Sequence, residues 1–152
     1  MKKLNNKGFS SKEFMIVVVG IIVVIAGIMP IVFSMIEKTR NGAVIDSAEM
    51  FVYQTERGIF NQIAEGNAVV DGCYDVTESG NLCLDMENGV CTGEELIIDL
   101  DGLRPEGGAL SIHNNKVSGI YNLFIDNKYV NQKDNKYYVD LELDRKKICG
   151  EE

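Results

Sequence analysis

Four cysteines carry the clearest covalent chemistry in this 152-residue sequence: Cys73, Cys83, Cys91 and Cys149. Thiols either oxidise in pairs or bind soft metals as thiolates. The steps between them are 10, 8 and 58 residues and contain no C-x-x-C pair, so up to two disulfides are the stronger reading and zinc the weaker. Spacing leaves all three ways of pairing four thiols open. A second chemical problem is Glu13, which stands at the mouth of a long apolar run where a carboxylate is costly unless something partners it. His113, the sole histidine, falls among turn residues with no nucleophile pattern beside it. No catalytic constellation can be assembled from the spacing, so neither an enzyme activity nor a cofactor is expected. The acids Asp85/Glu87, Asp99/Asp101 and Asp126/Asp134/Asp140 lack the D-x-[DN]-x-[DN]-G order of a calcium loop and read as solvated turn residues.

The apolar run occupies residues 14–36 and holds no charged side chain. Its 23 residues exceed the roughly 20 that a helix needs to cross a bilayer. It is also too long for a secretory apolar core, and it continues into Glu37-Lys38-Thr39-Arg40 without a small-residue cleavage site. Lys2, Lys3, Lys7 and Lys12 precede the run, against Lys38 and Arg40 after it, which biases the N-terminus to the cytoplasm and the remainder outward. Lys12 does not face its neighbour Glu13 on a helix and is placed to snorkel towards the interface. Gly20, Gly27 and Pro30 weaken the helical ladder, as neighbouring helices in lipid allow.

Lys7-Gly8-Phe9, Glu13 five residues past that glycine, and Pro30 twenty-two past it together resemble the class III signal of type IV prepilins and pseudopilins. The resemblance is close over about the first 35 residues and extends beyond them only in layout. It departs at Ser10-Ser11-Lys12, where most of the family has Thr-Leu-Ile. It implies cleavage by a prepilin peptidase between Gly8 and Phe9, N-methylation of Phe9, and pairing of Glu13 with the Phe9 amine of a neighbouring subunit. Such a pair sets register more than it adds stability. Pro30 takes the place of the family's helix-perturbing proline. The implied product is a structural subunit of a type IV pilus, competence or type II secretion-like filament, held first in the cytoplasmic membrane by a single pass. Its implied partners are the peptidase, like or related pilin subunits and the assembly platform. The rival reading is an uncleaved, signal-anchored exported binding or adhesion module. A tight-adherence type of pilin is disfavoured by Pro30 and the sizeable β-region.

Outside the run, residues 41–152 hold 21 acids and nine Lys or Arg, a formal charge of −12 that opposes whole-domain nucleic-acid binding. Arg145-Lys146-Lys147 is too short to overturn this. Val44, Ile45, Ala48, Phe51, Val52, Thr55, Ile59 and Ile63 recur at three- and four-residue steps, predicting an amphipathic helix that ends near Gly66. If Asn41-Gly42 only kinks the chain, one helix reaches roughly 80–85 Å. From Leu96 the pattern turns to short alternating segments, 96–100, 109–112, 116–125 and 137–143, separated by turn residues and read as four antiparallel strands in a meander. Residues 71–95 read as a cysteine-stapled loop, and the family resemblance makes the Cys73 to Cys91 loop or the Cys149 tail a candidate surface for adhesion or minor-subunit contacts. The expected organisation is a leader 1–8, a transmembrane or assembly helix 9–40, its amphipathic continuation 41–66, and a β-domain 67–152. The fold class is α+β, with a long N-terminal helix packed on a C-terminal antiparallel sheet.

Overall fold

The computed structural model describes residues 10–100 and 104–144. These form α1 (Ser11–Ala64) and nine strands: β1 (Gly72–Val76), β2 (Leu82–Cys83), β3 (Met86–Glu87), β4 (Val90–Cys91), β5 (Glu95–Leu96), β6 (Gly107–His113), β7 (Lys116–Ile125), β8 (Lys128–Lys133) and β9 (Lys136–Val139). Contacts divide the chain into two units, Met1–Arg40 and Asn41–Glu152. α1 continues through both Pro30 and Asn41-Gly42.

In the first unit every described side chain is exposed. The richest window of α1 has a mean hydropathy of 3.1, with none of it buried within the chain. Length and composition suffice for one membrane crossing.

In the second unit one stripe of α1, Val44, Ala48, Phe51, Thr55 and Ile59, is buried. It meets the inner face of a seven-stranded antiparallel sheet ordered β5-β2-β1-β6-β7-β8-β9. Tyr74, Leu82, Leu110, Ile112, Ile120, Leu123, Ile125 and Val130 supply that face. Of the other residues expected on the stripe, Val52 is half-buried against the core, Ile45 is half-buried outside it, and Ile63 is 42% exposed near the helix end. The end itself is a Schellman turn: Gly66, at φ 90°, donates its N–H to Ile63 O, and Asn67 donates to Gln62 O.

The meander from β6 to β9 follows from local turn chemistry. Asn114-Asn115, Asp126-Asn127 and Asp134-Asn135 all have positive φ at both positions and join strands paired His113↔Lys116, Ile125↔Lys128 and Lys133↔Lys136. That is the two-residue type I′ hairpin, whose twist matches that of its strands and which favours Asn and Asp. Asn88-Gly89 makes the same turn between β3 and β4.

The structure corrects the strand reading in four places. Residues 71–95 contain β1 to β4 and are not simply a loop; the flanking Gly and Asp residues masked the inward alternation of Tyr74 and Val76. Segment 96–100 pairs with β2 only through Glu95–Leu96 and then leaves the sheet, Ile98 buried within 3.5 Å of the Cβ position of Gly58 on α1 and Ile97 73% exposed. Lys128–Lys133, unassigned between two turns, is a full strand. The last strand ends at Val139, because Asp140 turns at φ 58° and donates its N–H to Tyr129 O.

Candidate functional site

The start of α1 is built by Ser10 and Glu13. Ser10 N–H donates to Glu13 Oε2 at 3.0 Å, Glu13 N–H donates to Ser10 Oγ at 3.4 Å, and Ser10 O accepts the first helical bond from Phe14. This reciprocal pair is a capping box, S-x-x-E, and it satisfies two of the donors that a helix start leaves unpaired. The carboxylate at the mouth of the apolar run therefore has a partner within its own chain. Sequence reasoning missed Ser10, although Ser10-Ser11-Lys12-Glu13 displays the signature. Lys12 is exposed. Gly8 and Phe9, the expected cleavage and methylation positions, lie outside the described residues. Pro30 lies within α1, and a Cβ at Gly20 or Gly27 would meet nothing within 4 Å, so no close approach inside the chain calls for these glycines.

The cysteines resolve part of their pairing. Cys83 and Cys91 form a disulfide with Cα atoms 5.7 Å apart, tying β2 to the β3–β4 hairpin. Cys73 on β1 is disulfide-bonded as well. Cys149 lies outside the described residues, as do Asp101 and Arg145-Lys146-Lys147. With Cys83 and Cys91 oxidised to each other, neither is a thiolate ligand for zinc. The hairpin they brace exposes Val90 at its tip, at 64%.

The remaining polar groups are used structurally. His113 Nδ1 lies 2.9 Å from Asp71 Oδ2, and both oxygens of Asp71 accept the N–H of Asn114, clamping the β6–β7 turn. Asp140 holds Lys128 Nζ at 2.7 Å. Among the described residues no three His, Cys, Asp or Glu converge as a metal site. Burial holds the hydroxyls of Tyr74, Tyr121 and Tyr137 above the usual tyrosine pKa, with added repulsion from Glu94 and Asp71 at Tyr74 and from Glu49 and Glu56 at Tyr137.

Asn131 on β8 has no exposed surface, and its Oδ1 accepts Asn122 N–H at 2.6 Å while its amide donates to Leu141 O. Asn122 in turn donates to Leu143 O at 2.7 Å and accepts Leu143 N–H at 2.8 Å. Two asparagine side chains thus stand in for a missing strand and fasten residues 141–143 along β7 and β8. Asn122 sits in a β-bulge at φ 47°, opposite Gly108 at φ 109°.

No protein-family model, curated protein or solved structure matches this chain. The prepilin-like resemblance accordingly rests on the residues of this sequence alone.

Proposed function

We propose that this chain is a pilin-like structural subunit, processed after Gly8 and assembled into an extracellular or periplasmic filament through its N-terminal helix. The observation that carries this reading is the junction Gly8-Phe9 … Glu13 leading into the uncharged stretch 14–36, on a helix whose second half carries a sheet domain. An apolar surface with no partner among the described residues calls for a cover of lipid or other helices, and a subunit that leaves the bilayer for a filament exchanges one cover for the other. The domain lies outside the cytoplasm in this reading, and the Cys83–Cys91 disulfide supports an oxidising surrounding.

One observation favours the rival, an uncleaved anchored binding module: Glu13 already has an intrachain role as helix cap. Two substitutions separate the roles. Glu13→Gln preserves a capping box and removes the charge, whereas Glu13→Ala removes both. Under the subunit reading both variants are cleaved and both fail to enter filaments; incorporation of the Gln variant at the wild-type level defeats the charge-pairing role. The primary test is intact mass and N-terminal sequence of the protein from its native membrane. A chain starting at N-methylated Phe9, with Gly8→Ala left full-length, is the expected result, and an uncut wild type assigns the anchored module instead.

A further inference from the structure

The half of α1 that carries the sheet is apolar on two faces. At about 100° per residue, the side opposite Val44, Ala48, Phe51, Thr55 and Ile59 presents Asp46, Met50, Tyr53, Arg57, Phe60 and Ala64. Met50, Tyr53 and Phe60 are 46%, 61% and 70% exposed. Three large apolar groups in line on the solvent side of an amphipathic helix mark a contact surface and not a solvated face. The stripe carries one acid and one base, and neither Asp46 nor Arg57 forms an ion pair among the described residues.

We propose that this stripe docks against the same stripe of a second, parallel copy of the chain, displaced by 11 residues along the helix axis, about 16–17 Å. Eleven is the step from Asp46 to Arg57, and it is close to three helical turns, so both charges stay on one face. The displacement sets Asp46 of one copy against Arg57 of the other. It also sets Met50 beside Phe60, and Tyr53 against Ala64, large against small. Without displacement, Asp46 would meet Asp46 and Arg57 would meet Arg57. The domain's charge of −12 makes unassisted contact between copies repulsive, and the Asp46–Arg57 pair is the complementary element that fixes one register. The parallel sense rests on the membrane-inserted subunit reading, in which both chains enter one membrane from the same end. An antiparallel pair would also join Asp46 to Arg57 but would place Met50 against Tyr53.

The test uses two full-length chains coexpressed in membranes, one carrying Met50→Cys and the other Phe60→Cys, with oxidation and separation of linked dimers. The expected result is a Met50–Phe60 heterodimer at least tenfold more abundant than that from Met50→Cys with Tyr53→Cys. Adding Asp46→Lys to the Met50→Cys chain reduces the dimer at least tenfold, and adding Arg57→Glu to its partner restores it. A dominant Met50–Tyr53 product, a link only to a different protein, or no link overturns the proposal. Intact mass of the same sample reads processing separately: linked but uncut chains refute the prepilin reading and leave the stripe contact standing, while cut but unlinked chains do the reverse.

Discussion

Asn131 shows how a polar side chain earns a place in a core. Its amide is satisfied on both ends, by Asn122 N–H and Leu141 O, and replacing it with alanine strands a part-buried donor and acceptor. Asn131→Ala should lower stability by about 1–3 kcal/mol and speed amide exchange at Leu143 in hydrogen-exchange mass spectrometry. Gly108 is constrained more tightly still. A Cβ there would lie 2.6 Å from both Asn122 O and Leu123 Cα, at a φ of 109° that other residues avoid. Gly108→Ala should cost about 2–4 kcal/mol, visible as a lower midpoint in urea. Ser10→Ala removes a helix cap worth about 1 kcal/mol and should accelerate exchange in the first turn of α1 without changing the sheet. Little of this was legible beforehand. An Asn inside an alternating strand reads as surface, and the bulge that turns Asn122 towards Leu143 depends on a strand 14 residues away in the chain, Gly108 opposing it. Ser10 and Glu13 display the box locally, but a carboxylate at the edge of an apolar run also fits a membrane-interface role, and spacing alone does not separate the two.

Among the elements, the helix, β6, β7 and the turns after them were readable because their signals are local, while β8 and the β3–β4 hairpin were missed. A three- and four-residue apolar step needs only 20 residues of context, and Asn-Asn or Asp-Asn pairs need four. β1 and β2 were not, since β2 is only two residues long and β1, which contains Gly72 and Asp75, is held by a partner far along the chain, as in Cys73↔Ser111. The type I′ turns make a sharp prediction. Asn127→Val places a branched side chain at φ 61° and should destabilise the β7–β8 hairpin by about 1–2 kcal/mol, whereas Asn127→Gly should be neutral or stabilising in thermal unfolding. The Cys83–Cys91 bond closes a short loop, and its removal by paired Cys→Ala substitution should cost about 2.5 kcal/mol on a chain-entropy estimate.

At the scale of the whole molecule, one buried and two half-buried tyrosines, with acids near two of them, give the stability a defined alkaline edge. Tyr74, Tyr121 and Tyr137 hold their protons more tightly folded than unfolded, so the stability this contributes is fully present below the ordinary value of 10.0 and is lost as pH rises through the higher folded values. Denaturation midpoints should therefore fall above pH 10, and less steeply in Tyr137→Phe. The arrangement of strands along the chain bears on how such a domain comes into being. β6 to β9 pair in chain order across two-residue turns, whereas β1 pairs with β6, about 35 residues further on, and must wait for it. A domain folding in chain order would complete its most local half last, and β6 is the strand on which the early and late halves join. Until that strand arrives, the buried stripe of α1 is covered only in part, by residues such as Tyr74, Leu82 and Ile98, and the growing chain presents two apolar faces at once.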